Sequence, residues 1–600
     1  MALPIEDYAL IGDCFTAALI GRDGSIDWLC VPRFDSPSVF GSLLGEEENG
    51  RWLLAPTAPD AASSRRYDGA GFTLVTRWTT PSGEVEVIDV MPVGRGRVDL
   101  VRRVRGVRGS VELGQEIRFR FDYGGTVPWV SQYRDRDPVE VVAVAGPNAV
   151  VLRGPAVRGS DHKHTGTFTV AAGETVDIVL SWFPSHRALP DPLDVDTALA
   201  HTRSWWAAWA GRYEHPVDPR YQQAVLRSLL VLRALTHEST GGIVAAATTS
   251  LPELLGGSRN WDYRFVWLRD ASLTIDVLAR HGFEDEVDRW RQWVLRAVAG
   301  DPGDVQIMYG LAGERWLPER EIPTLAGYRG AGSAPARPVR VGNAASEQFQ
   351  ADVIGEVMLA FASARDAGVA ENAVSWGLQR ALLGHLERVW HRPDQGIWEI
   401  RGEPRAFTHS RAMSWAAFDR GIDAVEKHGL RGPARRWREL RERIRHEIDT
   451  AHVDAGTGSF VQYAGAVNVD AALLQLPQIG FCAADDPRML ATVARIESEL
   501  MHHGLVDRYT SGSGVDGLPP GENPFLACSF WLAEQYARSG RRDDAVTLID
   551  RVLALANDVG LLSEEYDPVA GHQVGNTPQA LSHLALVRAV DALSDGETTR

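Results

Sequence analysis

From about residue 218 onward, apolar side chains recur with a period near 3.6 in twelve segments whose connections alternate between short and long. No other feature of the chain constrains the fold as much. The segments run roughly over 218–236, 270–281, 284–299, 343–366, 371–391, 410–428, 432–450, 468–479, 485–502, 523–538, 541–556 and 577–594. Second to third, fourth to fifth, sixth to seventh, eighth to ninth and tenth to eleventh are joined tightly, often at a glycine such as Gly282, Gly368 or Gly540. The remaining connections are long. Twelve antiparallel helices joined this way predict an (α/α)6 barrel with all the long loops at one end, where a rigid scaffold usually carries its site.

The first ~185 residues read differently. Segments such as GSIDWLCV (24–31), TLVTRWTT (73–80), EVEVIDVM (84–91), EVVAVAG (140–146) and TVDIVLSWF (175–183) are short and rich in Val, Ile, Thr and aromatic residues. Turn signals such as Pro81-Ser82-Gly83 separate them, with no helix between. The expected fold class is therefore multidomain β + α: an N-terminal β-sandwich over 1–185, a helical linker over 186–216, and the barrel over 217–600. Asp218 and Pro219 mark the first barrel helix as an N-cap followed by a proline at N1.

A net charge of −17 disfavours nucleic acid and anionic membranes as partners. No run approaches the roughly 18 apolar residues of a membrane span. The start, MALPIEDYALIGD, lacks a basic n-region and an apolar core, so a cytoplasmic protein without a signal peptide is expected. Cys14, Cys30, Cys482 and Cys528 form no CxxC or zinc spacing and are expected to be free thiols. Asp161-His162-Lys163-His164 sits in a turn with a lysine inside it and is not read as a metal site, so no metal or cofactor is expected. A homo-oligomer remains compatible with the sequence.

Five of the long loops hold candidate groups. RNWDYRFVWLRD (259–270) ends in Arg269 and Asp270 where a helix begins. Asp270 there is either a helix cap or half of a charged pair that holds sugar hydroxyls, with Trp267 as an apolar wall. LPEREIPTLAGYRGAGSAPARPVRVGNAA (317–345) carries Tyr328, Arg337 and Arg340. GIWEIRGEPRAFTH (396–409) places Glu399 between Trp398 and Ile400; apolar neighbours desolvate its charged form and suit it to a general acid. VDRYTSGSG (506–514) and LLSEEYDPVAGHQVGN (561–576) belong to the last two long loops. They supply Arg508 and the adjacent Glu564 and Glu565, of which one is a candidate catalyst and the other a binding or solvated residue. Two carboxyls across one pocket are what glycoside hydrolysis requires: one protonates the leaving oxygen, the other activates water.

In these motifs the chain resembles glycoside hydrolase family 15, which contains glucoamylases, glucodextranases and bacterial trehalases. The resemblance rests on VWLRD (266–270), RPVRVG (337–342), IWE (397–399), DRY (507–509) and SEEYD (563–567), in that order. DYALIGDCFTAALIGRDGSIDWLCVPRFDSP (7–37) is similar to the leading β-domain of bacterial members, often called trehalase-like, so the resemblance spans essentially the whole chain. It implies Glu399 as general acid and Glu564 as general base. It also implies Arg269 and Asp270 as the grip on a non-reducing terminal glucose, with Arg508 binding from the other side. Trp267, Tyr328, Arg340, Trp398 and Glu565 complete the candidate binding set. The implied reaction is inverting and exo-acting, releasing β-glucose from a small α-glucoside or oligosaccharide, with the carboxyls roughly 6.5–9.5 Å apart.

The chain departs from the fungal pattern in two places. Ile400 stands where fungal glucoamylases have a second glutamate that helps hold the leaving-side sugar, and Glu565 stands where they have Gln. Trehalose is favoured slightly over maltose, isomaltose or dextrin ends. A disaccharide phosphorylase and a non-catalytic carbohydrate-binding protein are the competing classes. The segment Arg33–Pro37 is a candidate for reaching over the barrel mouth.

Overall fold

A computed structural model of the protein describes residues 2–94, 96–136, 138–213, 217–519 and 521–598. Between Tyr8 and Pro184 the described residues include fifteen antiparallel strands, arranged as the expected sandwich. The 21-residue strand Val98–Arg118 ties its two layers together. Its first half pairs with Gly83–Val90 and Thr175–Pro184, and its second half with Arg51–Pro56 and Lys163–Ala171. The strand crosses between layers at Gly106 and Gly109. A Cβ on Gly106 would fall 1.9 Å from the Ala171 carbonyl oxygen, and Gly109 has φ +63°. Only glycine fits such a corner.

The helices are α1 Val195–Ala210, α2 Gln222–Ala234, α3 Leu268–Arg280, α4 Glu284–Ala297, α5 Asp352–Asp366, α6 Ala373–Val389, α7 Thr408–Glu426, α8 Ala434–Ala451, α9 Pro487–Glu499, α10 Leu526–Arg538, α11 Arg542–Leu553 and α12 Ala580–Thr598. α1 lies between the two parts of the chain: Trp206 meets Phe72 of the β-region at 5.3 Å, and Trp209 stacks on Phe283 at 4.1 Å. The others build the barrel. Going round the inner ring, α3 packs on α5, α5 on α7, α7 on the 3-10 turn Ala471–Gln475, that turn on α10, α10 on α12, and α12 back on α3. Helices α2, α4, α6, α8, α9 and α11 lie outside. Burial follows position. Every residue of α10 from Leu526 to Tyr536 is buried, whereas α8 buries only Trp437, Leu440, Ile444 and Ile448, at helical spacing. The Arg-rich remainder of α8 is its solvated face.

Three helix expectations need correction. The segment 468–479 is a short 3-10 turn, because Pro477 brings no N–H and its ring crowds the carbonyl four residues back. The segment 343–366 becomes helical only at Asp352. Asn343 first caps a 3-10 turn through Ala345 N–H, and the chain then runs extended at Gln348. α2 begins at Gln222, since Asp218 turns back to accept from Arg220 N–H and does not cap a helix that starts at Pro219. Elsewhere the end signals hold: Asn372 accepts from Val374 and Ser375 N–H to start α6, and Asp486 precedes Pro487 at the start of α9.

One continuous apolar core runs from the strands into the helices. Buried Arg264 fastens the join. It pairs with Asp262 at 2.7 Å and donates to the Tyr123 hydroxyl and the Ser36 carbonyl of the β-region, both at 2.9 Å. The segment Arg33–Pro37 thus serves as a socket for Arg264, and none of its residues lines the cavity at the barrel mouth. All four cysteines are free. Among the described residues no helix is long and apolar enough to cross a membrane.

Candidate active site

A cleft of about 820 Å³ opens at the end of the barrel where the long loops emerge. Residues from the loops before α3, α5, α7, α10 and α12 line it, which is the convergence that the alternating connections imply. The loop before the turn Ala471–Gln475 lines none of it directly. Its Asp470 accepts from the Trp398 indole N–H at 3.2 Å and so holds one wall from behind.

The α3 wall forms first. Val266–Trp267 pairs with Met308–Tyr309 as a two-stranded ribbon that ends at the first turn of α3. Arg269 donates from Nε to Asp270 at 2.6 Å, and from a terminal nitrogen to the Ile397 carbonyl at 2.7 Å and to Glu399 at 3.2 Å. Asp270 is therefore half of a charged pair facing the cleft, which resolves the cap alternative. Trp267 donates its indole N–H to Glu399 Oε1 at 2.6 Å.

Glu399 sits at φ +55°, in the left-handed region that a residue with a Cβ enters at a cost of roughly 1–2 kcal/mol. Two bonds hold it there: its N–H donates to the Gly396 carbonyl, and the Gln348 amide donates to its own carbonyl at 3.1 Å. The extended stretch that delays α5 is what puts Gln348 in place. Burial raises the Glu399 carboxyl above the usual range; Asp270 adds to the rise, and Arg269 and Trp267 oppose it.

Glu564 arrives on the last long loop and is 1% exposed. Tyr263 donates its hydroxyl to Glu564 Oε1 at 2.5 Å, and Asn576 N–H reaches Oε2 at 3.4 Å. Gly575 leaves room for the carboxyl; a Cβ there would lie 2.7 Å from Glu564 Oε2, and the residue has φ +77°. Burial, then the nearby Glu253, push Glu564 up to about 8, while Arg508, Tyr263 and Asn576 draw it down. No hydrogen bond joins Glu399 to Glu564. Each carboxyl is held by its own ring, and the Tyr263 and Trp267 rings stand edge to face, 5.5 Å apart.

Arg508 faces the cleft from the α10 loop, against the Phe525 ring at 5.3 Å. Glu253 at 2.9 Å, Glu522 at 2.7 Å and Glu565 at 3.5 Å surround its guanidinium. Arg259 pairs with Asp516 at 2.6 Å and Glu522 at 2.9 Å in the same cluster. Carboxyls outnumber guanidiniums in this dry region, and burial drives Glu522 and Glu565 upward as well.

Trp267, Arg269, Asp270, Trp398, Glu399, Arg508 and Glu564 thus meet in one cleft, and three candidates do not line it. Glu565 is fully buried behind Arg508, taking Asn523 N–H on Oε2 at 3.0 Å. Arg340 lies behind Trp261, 4.7 Å over its ring, donating to the Ser258 and Asn260 carbonyls. Tyr328 is 1% exposed and donates to the Leu3 carbonyl at 2.9 Å, so it packs the chain start against the barrel. Sequence reasoning missed Tyr263, Trp261, Glu253 and Gln348. Tyr263 lies inside a motif already singled out, but its partner stands 301 residues away and nothing local marks the pairing. Among the described residues no group of three His, Cys, Asp or Glu side chains is placed to hold a metal ion.

Residues 1–182 match the "Trehalase-like, N-terminal" family. The trehalase of Mycobacterium tuberculosis (strain ATCC 25618 / H37Rv) is 36% identical, the match covering 98% of this chain and 89% of that protein. The trehalase of Thermoplasma volcanium is 33% identical, covering 98% and 94%. A bacterial glucoamylase solved in complex with acarbose shares the fold over 100% of this chain and 96% of its own, with TM-score 0.71 at 12% identity. Residues 219–591 match the model of "Glycosyl hydrolases family 15", and the chain belongs to that family.

Proposed function

We propose that the chain hydrolyses α,α-trehalose, inverting the attacked anomeric centre, with Glu399 as general acid and Glu564 as general base. The observation that carries this reading is the delivery of two carboxyls, Glu564 buried and Glu399 partly so, by different loops to one cleft, each fixed by its own aromatic donor and neither bonded to the other. Full-length relatives that are trehalases support the choice of substrate.

The terminal glucose enters first, its hydroxyls facing the Arg269–Asp270 pair and Arg508. The end of the cleft at Trp267, Asp270 and Trp531 is buried, which favours an exo action. Neutral Glu399 gives its proton to the glycosidic oxygen as the C1–O bond breaks. Ionised Glu564 takes a proton from a water attacking C1 from the opposite face, so charge is conserved and each carboxyl exchanges its state. Burial moves Glu399 toward its neutral form, and the Tyr263 hydroxyl favours the ionised form of Glu564.

Trehalose makes the stereochemistry legible. The attacked glucose leaves as the β anomer and the other keeps its α configuration, so early NMR spectra should show the two in equal amounts. Trehalose should exceed maltose, isomaltose and dextrin in kcat/KM. Two equivalents of α-glucose would exclude inversion, glucose 1-phosphate formed in phosphate buffer would mark a phosphorylase, and a preference for dextrin would make the enzyme a glucoamylase. Glu564→Gln should cut turnover by orders of magnitude and leave binding largely intact; an unchanged rate would remove that residue from the mechanism.

A further inference from the structure

Ile400 leaves the leaving-side sugar without the carboxylate expected after the acid, and it is buried at 1% exposure. We infer that Arg401, supported by Glu319 and the Trp261 ring, binds that sugar and sets the preference for a glucose leaving group. The inference rests on the trehalase reading and names the other half of its substrate site.

The cleft has a direction. Trp267, Asp270 and Trp531 at one end are at most 4% exposed, while at the other Trp261 is half-buried and Arg401 exposed. A terminal glucose seated on Arg269 and Asp270 therefore places its neighbour beyond Glu399, toward the open end. Arg401 is two residues from the acid and lines the same cleft. Its guanidinium makes a two-pronged contact with Glu319, at 2.6 and 3.2 Å, and lies 4.2 Å over the Trp261 ring. Glu319 also faces Arg340 at 3.5 Å, and Arg340 holds the backbone just before Trp261. Its own backbone is pinned as well, the Arg401 N–H donating to the Asp516 carbonyl at 3.0 Å.

A guanidinium held flat by a carboxylate and a ring keeps unspent N–H donors in a set direction, at little further entropic cost on binding. Such donors suit a polyol. The 1,1-linkage leaves the 2-, 3-, 4- and 6-hydroxyls of the departing glucose all free to accept. In maltose the 4-oxygen is consumed by the bond, so the same donors meet a different pattern. Arg401 is thus a specificity residue, and Glu319 a positioning residue that acts through it.

The test compares two substrates on the full-length enzyme. α-Glucosyl fluoride has the same terminal glucose but no leaving sugar. In Arg401→Ala, kcat/KM for trehalose relative to that for the fluoride should fall roughly 10- to 100-fold, the range for losing a hydrogen bond from a charged donor. Glu319→Gln should move the ratio the same way by less, mostly through KM. A ratio within about twofold of wild type in Arg401→Ala overturns the inference. Wild-type enzyme that turns over the fluoride but not trehalose would instead overturn the substrate reading. Fluoride turnover by each variant also reports that it has folded.

Discussion

Tyr263→Phe isolates one hydrogen bond at Glu564, the proposed base. The phenyl ring still fills the space beside Trp267, and only the hydroxyl that donates to Glu564 at 2.5 Å is lost. That bond favours the ionised carboxylate, so its loss moves Glu564 further up from about 8. A hydrogen bond to a charged acceptor is worth roughly 1.5–3 kcal/mol, or about one to two pKa units. The base acts only when ionised. Well below pH 8 the ionised fraction therefore drops by the full shift, and kcat/KM for trehalose should fall about 10- to 100-fold. Above pH 8 wild-type Glu564 is already ionised and the variant catches up as pH rises. Deprotonation of Glu399 depresses both enzymes alike and cancels in the ratio. The wild-type to variant ratio, measured from pH 5 to 9, should thus be largest at the acid end and shrink toward a small residue. A ratio that is large but flat across pH would show that Tyr263 acts by holding the substrate or the loop. A ratio near one throughout would show that the bond does nothing in turnover.

Three further outcomes test the surroundings. Tyr328→Phe should lower stability by about 1 kcal/mol in a denaturant titration, with KM for trehalose unchanged, because the hydroxyl serves the Leu3 carbonyl and not the substrate. Arg264→Met leaves Asp262 buried without its cation and should cost about 3–5 kcal/mol in the same titration; a loss below 1 kcal/mol would mean the join between strands and barrel does not depend on it. Glu564→Gln should raise Tm at pH 7 even as it removes activity. The native carboxyl has a raised pKa, so its contribution is fully present below the unfolded value near 4.5 and is lost as pH climbs toward about 8. The Tm gain over wild type should accordingly grow between pH 5 and 8.

What was legible in the sequence follows from the range over which each signal acts. Helix periodicity and loop alternation are local, and together they placed Glu399 and Glu564 at one barrel end. The family resemblance then chose Glu564 over its neighbour, and the structure has Glu565 turned away into the Arg508 cluster. Tyr328 and Arg340 went astray for one reason: both lie in the loop 317–345, whose composition signals function while its fold spends them on backbone carbonyls. The segment Arg33–Pro37 likewise meets the barrel, but behind the wall rather than over the mouth. In the segment 468–479 the apolar period continues across Pro477, and periodicity alone does not register the N–H that proline lacks. The pairings that hold the proposed acid and base, Trp267 with Glu399 and Tyr263 with Glu564, span 132 and 301 residues. Such contacts leave no periodic trace.

The positions of the two glutamates share a physical logic. Each sits where the fold would be better off without it. Glu399 holds a left-handed backbone that glycine would take freely, and Glu564 is a carboxyl sealed from water beside other carboxyls. Neither cost stands alone. Gln348 and the Gly396 carbonyl hold the first in its strained turn, and Gly575 opens the space for the second. The same burial that costs stability raises the Glu399 carboxyl, the direction the proposed acid needs. It also threatens to protonate Glu564, as a base must not be. Tyr263 and Arg508 are the counterweight. The proposed acid and base thus differ in their donors as well as in their depth: an indole and a shared guanidinium on the partly exposed Glu399, a phenol backed by a buried arginine on the sealed Glu564.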